Sequence, residues 1–230
     1  MTLFSLVVPL YNEEGVLRPV ADGLLQAFRQ AGEPLELVLV DNGSHDGTGR
    51  EIEALKAVAP EVRQVRVEVN QGYGWGVLCG LREATGTHLG YMAGDGQIEA
   101  SDVVAVWQRM KAGNCDVAKT CRVRREDGPI RQVVTFFCNI IFPVVFPVRT
   151  RDINGTPKIM TRQVYQDLKL ESKDWFLDAE LMIKCARRGL RVAEVPVTFR
   201  ARAGGISHVR FSSLVEFMVN IARAWWKGIR

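Results

Sequence analysis

Residues 35–48 read Leu-Glu-Leu-Val-Leu-Val-Asp-Asn-Gly-Ser-His-Asp-Gly-Thr, and this stretch decides the fold class. Leu35–Val40 is a short apolar run that reads as a β-strand. A glycine-rich turn follows it, and a helical pattern then runs from Thr48 to Val58. Outward from this unit the same alternation recurs. Leu3–Leu10 reads as a buried strand, and Leu17, Val20, Leu24, Ala27 and Phe28 mark one face of a helix over Val16–Ala31. Gln64–Val69 is a third strand, Gly74–Ala84 a helix and His88–Met92 a fourth strand. Strands alternating with helices imply right-handed crossovers and a mainly parallel sheet covered on both faces, an α/β fold. Ligands of such sheets bind beyond the carboxyl ends of the strands.

After residue 100 the alternation weakens. Ser101 reads as the N-cap of a helix reaching Met110, with Asp102 in its first turn. Asp116–Thr120 is a short strand, Leu177–Arg188 a helix closed by Gly189, Leu190–Phe199 a strand and Ser212–Lys227 a terminal helix. With no linker in view, the expectation is one domain over residues 1–230, with a nucleotide-binding half (1–120) and an acceptor-side half (121–230).

Composition narrows the class. Hydrophobic residues make up 47% of the 230-residue chain and charged residues 24%, which argues against global disorder. A net charge of +4 gives no argument for a nucleic-acid partner, and none is expected. The five cysteines are odd in number and show no CxxC spacing, so neither a disulfide framework nor a structural zinc site is indicated. Reduced, buried thiols in a cytoplasmic protein are the expectation. The N-terminus lacks a signal-peptide pattern, and the longest apolar run, Val133–Val148, is shorter than the ~20 residues needed to cross a bilayer.

Four motifs carry chemistry, each with an ordinary structural alternative. Pro9-Leu10-Tyr11-Asn12-Glu13-Glu14 ends the first strand, and alone it reads equally as a strand followed by a capped helix. Val40-Asp41-Asn42-Gly43-Ser44-His45-Asp46-Gly47-Thr48 gathers acids, glycines and hydroxyls at the ligand edge, where an acid accepts hydrogen bonds from a base or ribose; the alternative is a plain turn with a capping Asp. Asn70-Gln71-Gly72-Tyr73-Gly74-Trp75-Gly76 lets backbone approach a ligand and offers N–H groups to anions. Val77 replaces the third glycine of a dinucleotide fingerprint, which disfavours a dehydrogenase. Met92-Ala93-Gly94-Asp95-Gly96-Gln97 offers one carboxylate and one amide oxygen to a hard cation completed by water and phosphate, or else forms a simple turn.

Taken in order, these motifs resemble family 2 glycosyltransferases, and in particular the dolichyl- and polyprenyl-phosphate sugar synthases, over nearly the whole chain. The resemblance implies a GT-A nucleotide-binding sandwich and inverting transfer. It implies that Pro9, Tyr11, Glu13, Asp41 and Gly72 line the donor pocket and that Asp95 and Gln97 hold Mg or Mn on the diphosphate. Ala93 stands where the family usually carries a first acid, and Asn42 where it carries a second one. Arg202 and Ser207 match the segment that closes over the donor, and Arg122, Arg131 and Thr135 match the grip on the acceptor phosphate. Asp178 and Glu180 lie where many members place an acidic base, so Asp95, Asp178 and Glu180 form the catalytic set; the alternative is that these two acids pair with Lys184 or Arg187 at helical spacing.

The partners so implied are a UDP- or GDP-linked sugar, a lipid phosphate and a membrane surface. Arginines flank the apolar 133–148 run, as suits the headgroup boundary at the inner face of a membrane. The stripe Leu214, Phe217, Met218, Ile221 and Trp225 packs on either core or membrane. Rival readings are transfer to a sugar or protein hydroxyl, a nucleotidyltransferase, and a binding module without catalysis. The nucleotidyltransferase needs a basic phosphate loop that Leu10–Gly15 does not provide.

Overall fold

The computed structural model describes residues 4–125, 146, 148 and 150–200. Its elements run β1 (Phe4–Leu10), α1 (Leu17–Gln30), β2 (Leu35–Asn42), α2 (Thr48–Val58), β3 (Val62–Val67), α3 (Tyr73–Glu83), β4 (His88–Tyr91), α4 (Ala100–Lys111) and β5 (Val117–Arg125). Then follow β6 (Lys158–Thr161), α5 (Arg162–Leu168), α6 (Leu177–Arg187) and β7 (Val192–Phe199). One seven-stranded sheet has the order β3-β2-β1-β4-β6-β5-β7. The first four neighbours are parallel, β6 runs antiparallel to both β4 and β5, and β7 is parallel to β5.

The central strands β1 and β2 are mainly apolar because both of their faces are covered. Phe4, Leu6, Val8 and Leu10 of β1 join Leu35, Leu37 and Leu39 of β2 in a core capped by α1, α2 and α4. Val7, Val38 and Val40 face the other way, into a second core with α3 and α6. Phe4 stacks on the fully buried Trp107 of α4 at 4.7 Å and 8°. Trp107 also donates its indole N–H to Glu33 at 3.0 Å, so its one polar atom is satisfied. Cys79, Cys115, Cys121 and Cys185 are free thiols. Burial raises each above the usual thiol range, Cys185 to about 12. They are therefore poor nucleophiles and metal ligands.

The structure differs from the sequence expectation in four places. The third strand starts at Val62, two residues before Gln64. The cap of α4 is Glu99, whose backbone carbonyl accepts from the N–H groups of Asp102 and Val103; Ser101 lies inside the helix. The fifth strand runs past Thr120 to Arg125. Finally, β6 and α5 were not foreseen. Thr161 caps α5 by accepting the Val164 N–H, and Lys169 ends it in the left-handed region at φ 48°.

Helix α3 lies unusually close to the sheet. A Cβ at Gly80 would press on Val7 Cγ1 and come within 2.8 Å of Val40 Cγ2. Glycine ordinarily weakens a helix by ~1 kcal/mol relative to alanine, so its presence here answers a packing need. Gly80→Ala should consequently destabilise the protein by about 1–3 kcal/mol despite its better helix propensity. Urea titration followed by circular dichroism reads this as a lowered midpoint. An unchanged or raised midpoint would show that α3 lifts off the sheet at little cost.

Candidate active site

The loops after β1 and β2 form one laced unit. Asn12, at φ 54°, accepts the His45 N–H on Oδ1 at 2.9 Å and gives its own N–H to Ser44 Oγ at 3.1 Å. The Glu13 N–H goes to Thr48 Oγ1 at 2.9 Å and the Glu14 N–H to Asp46 Oδ2 at 3.2 Å, while Glu14 Oε2 accepts the Gly47 N–H at 2.9 Å. Side chains of one loop thus satisfy backbone groups of the other, as turn-forming Asn, Asp, Ser and Thr do.

Beside this unit is a cavity of about 400 Å³ whose walls include Asp41, Ser44, Asp46, Arg50, Gln64 and Arg66. That is within the range of small-molecule sites. Asp41 stands at the end of β2, 5% exposed, and accepts the Ser44 N–H at 2.9 Å. Helix α2 passes directly over it, since a Cβ at Gly49 would come within 2.7 Å of Asp41 Oδ2. Of the residues expected to line a nucleoside pocket, Asp41 lies in the wall of this cavity. Pro9 is part of β1 beneath Gly76, Glu13 is buried against Thr48, and Tyr11 is half-buried just past β1. None of these three is in the wall of this cavity. Arg50, Gln64 and Arg66 were missed, because helix and strand periodicity assigns such residues to a solvated face.

Asp95 sits in the turn after β4, and its Oδ1 accepts the Gln97 N–H at 3.2 Å. Gly94 lets this turn hug β1, where a Cβ would come within 2.9 Å of Val8 Cγ1. Gln97 is buried and clasps the end of β7. Its Nε2 donates to the Arg200 carbonyl at 2.8 Å, and its own carbonyl accepts the Arg200 N–H at 3.0 Å. The side-chain Oε1 of Gln97 is outside this clasp. Among the described residues no cluster of three or more His, Cys, Asp or Glu can cage a metal. One carboxylate and one amide oxygen instead suit a cation that takes its remaining ligands from phosphate and water.

The glycine segment allows a close approach within the protein. Gly72 and Gly74 make room for another part of the chain. A Cβ at Gly74 would strike the backbone of 172–174, coming within 2.7 Å of the Asp174 carbonyl. One at Gly72, held at φ 116°, would strike the Lys173 carbonyl. The Trp75 N–H donates to that same Lys173 carbonyl at 2.8 Å. Across this contact Tyr73 stacks on Trp175 at 4.5 Å, and the Lys173 ammonium lies 4.4 Å from the Trp75 ring centroid.

The second half of the chain places charges inside. Asp178, in the first turn of α6, is 5% exposed; its Oδ1 accepts from Tyr91 Oη at 2.9 Å and pairs with Lys158 Nζ. Burial draws the Lys158 ammonium down to about 8, with the Asp178 carboxylate acting against that. Burial pushes the Tyr73 phenol well up, and the charges of Asp178 and Asp95 add to this. The Glu180 carboxylate accepts the N–H groups of Glu171 at 3.0 Å and Ser172 at 2.8 Å and pairs with Lys184 at 2.7 Å, the ion pair that helical spacing allows.

Arg122 is paired within the protein. Its Nε and Nη2 each donate to Asp152 at 2.7 Å, its backbone N–H adds a third bond at 3.0 Å, and the guanidinium covers the Phe199 ring at 5.0 Å. The Nε–Nη2 fork thus meets a carboxylate in the bidentate geometry that guanidinium groups favour. Arg131, Thr135, Arg202 and Ser207, the 133–145 part of the apolar run and the 212–227 helix lie outside the described residues. No helix among the described residues is long and apolar enough to cross a membrane.

The Arg122–Asp152 pair gives a pH prediction. Burial alone would raise the Asp152 carboxyl, but the Arg122 hydrogen bonds and charge, with the Lys119 ammonium, bring it from 3.8 down to about 2. A carboxylate whose folded value is depressed stabilises the fold above the unfolded value, and that contribution is lost as pH falls through the folded one. Between pH 5 and pH 2 the stability gap between wild type and Asp152→Asn should therefore narrow by roughly 2 kcal/mol. Urea unfolding at the two pH values measures it, and a constant gap would mean the pair is not formed in solution. A second expectation concerns the loop contact: Gly74→Ala should lower stability by about 1–3 kcal/mol and quench-shift Trp175 fluorescence. A variant with unaltered emission and stability would contradict the close approach of 172–174.

The glycosyl transferase family 2 model matches residues 5–167. The chain is 27% identical over 222 residues to a dodecaprenyl-phosphate galacturonate synthase of Rhizobium johnstonii, covering 94% of this chain and 64% of that protein. It is 31% identical over 222 residues to an undecaprenyl-phosphate 4-deoxy-4-formamido-L-arabinose transferase of Pectobacterium atrosepticum, covering 94% and 65%. The chain thus spans just under two thirds of these relatives' length. Among solved structures, glucosyl-3-phosphoglycerate synthase of Mycobacterium tuberculosis, crystallised with Mn²⁺, UDP and phosphoglyceric acid, superposes with a TM-score of 0.75 at 18% identity, over 99% of this chain and 78% of that one. That likeness establishes the GT-A-like fold. With a strand-end acid beside a cavity, a second acid after β4 and a family match across most of its length, the chain belongs to glycosyl transferase family 2.

Proposed function

We propose that this protein moves a sugar, with inversion, from a nucleotide-sugar donor to a polyprenyl phosphate at a membrane surface. The observation that carries the reading is what gathers at the end of β4. Tyr91, its last residue, holds the buried Asp178 through a 2.9 Å hydrogen bond, and Asp95 with Gln97 forms the turn that follows. The names of the polyprenyl-phosphate relatives support the acceptor class.

In this reading the nucleoside occupies the cavity beside Asp41, whose carboxylate accepts hydrogen bonds from base or ribose. Asp95 and the Gln97 side-chain oxygen would hold Mg²⁺ or Mn²⁺, and the ion would supply positive charge to the diphosphate leaving group. Tyr11, Arg202 and Ser207 enclose the donor. Arg131 and Thr135 hold the acceptor phosphate, in keeping with the affinity of guanidinium groups for phosphate. A phosphate monoester is already nucleophilic, with a second pKa of ~6. Asp178 takes the residual proton of its monoprotonated form, and the phosphate oxygen attacks the anomeric carbon from the face opposite the diphosphate. The protein works at the inner face of the membrane, with the apolar 133–148 run resting at the headgroup boundary.

Purified protein should show a rise in melting temperature with either the UDP- or the GDP-sugar set, larger when Mn²⁺ is present. Radiolabelled sugar from that donor should then enter undecaprenyl phosphate and not soluble sugars. Asp95→Ala should lower transfer roughly 10²-fold or more while leaving the melting temperature of the free protein close to wild type. Transfer to soluble hydroxyl acceptors instead would replace the acceptor class. Donor binding without transfer to anything would make this a binding module.

A further inference from the structure

Two lysines are wholly buried, and they are cross-strand partners: Lys119 on β5 and Lys158 on β6. Their surroundings differ. Lys119 Nζ is satisfied largely by backbone, donating to the Thr120 carbonyl at 2.8 Å and to the Asp152 carbonyl, with Glu194 Oε1 at 3.3 Å. Lys158 Nζ has one carboxylate, Asp178, and lies 5.9 Å from the centroid of the Tyr91 ring. The contacts on Asp178 are asymmetric. Tyr91 Oη and Lys158 Nζ both fall on Oδ1, and neither falls on Oδ2. Tyr91 and Lys158 are themselves register partners across the β4–β6 pair, so the backbone ladder sets the spacing of the two donors.

We propose that Lys158 is a positioning residue for the transfer step: with Tyr91 it clamps Asp178 by one oxygen and leaves the other to the acceptor. This rests on the reading of Asp178 as the acceptor-side base. Lys158 touches no substrate and acts through Asp178. It does two things there. It fixes the carboxylate's rotation, and it supplies the counter-charge without which a buried carboxylate favours its protonated form. The groups that face this pair are Tyr73 from α3, Tyr91 from β4, Lys119 from β5, Asp152 from the preceding loop, Asp95 from the turn after β4, and Cys185 on α6 itself. Burial holds both phenols and the Cys185 thiol far above neutral pH, so they stay uncharged there. Lys119 and Asp152 oppose each other in their effect on Lys158. The Lys158–Asp178 pair is therefore the element whose loss changes the site's protonation near neutrality.

The test is the pH profile of kcat/KM between about pH 5 and 9, with undecaprenyl phosphate in vesicles and the nucleotide sugar giving the largest thermal shift. Lys158→Met should lower kcat/KM at pH 7 by roughly tenfold or more and move the acid limb up by about one unit, with activity partly regained at higher pH. Tyr91→Phe, which removes a hydroxyl alone, should move the limb the same way by less, and it decides the matter if Lys158→Met does not fold. Acid limbs that stay in place in both variants, whatever their kcat, overturn the proposal. Asp178→Asn separates the two levels. Should it retain full transfer, Asp178 is not the base, and the proposal falls with the reading beneath it. Should it abolish transfer while Lys158→Met and Tyr91→Phe shift nothing, the reading stands and the role of Lys158 fails alone. A wild type that transfers to no acceptor sinks both.

Discussion

The antiparallel pairing of β4 with β6 is the constraint on which the rest of this structure leans. On one side of it are four parallel strands, β3-β2-β1-β4, whose ends and loops carry Asp41 and Asp95. On the other side are β6, β5 and β7, which bring the acceptor half. Four register pairs, from His88 with Thr161 to Tyr91 with Lys158, join the halves. Because the chain reverses direction here, the start of β6 lies beside the end of β4. The residues entering β6 therefore reach the edge that the parallel strands point toward. A parallel neighbour in this place would have put Lys158 at the far end of the sheet.

The two halves solve burial differently. Around β1 and β2 the sandwich is mostly leucine and valine on both faces. Around β5, β6 and α6 the fold encloses Lys119, Lys158, Asp152, Asp178, Glu180 and Lys184, all at 5% exposure or less. Taking charges out of water is expensive, and hydrophobic replacements are often as stable, so such a set is weak as a means of stability alone. What it offers is geometry. Arg122 against Asp152 and Lys184 against Glu180 each fix a loop whose backbone N–H groups they also bind or border. Three of the charged residues expected to do chemistry were Arg122, Asp178 and Glu180. The structure shows two of them holding chain in place and one held in place itself.

How much of this was legible depends on the range of the interaction involved. β1, β2, β4 and the helices between them were readable because their signal is local: runs of apolar residues bounded by turns. β3 was read two residues late because Val62-Arg-Gln-Val-Arg-Val alternates at a sheet edge and carries less apolar character than its neighbours. β6 was invisible, being four residues that include a lysine and a threonine. Its lysine is buried because Asp178, twenty positions on, and Tyr91 receive it. Arg122 could not be told from a solvated arginine, since its partner Asp152 lies thirty positions away. The glycines at 72 and 74 signal a close approach of backbone to some partner. Nothing in a local pattern says whether the approaching group is a ligand or another loop, and here it is the loop at 172–174.

That loop contact has a mechanical side. The Asn42 amide donates to the Gly72 carbonyl at 3.0 Å, the Gly72 and Gly74 backbones bear on 172–174, and Glu180 grips the N–H groups of Glu171 and Ser172. A chain of contacts thus runs from the residue beside Asp41 to the helix that carries Asp178. Two of its joints are side chains, the Asn42 amide and the Glu180 carboxylate, and the rest is backbone brought to contact distance by glycine. The loop after β3 and the loop before α6 are seated against each other at points where one added carbon atom would have to push one of them away.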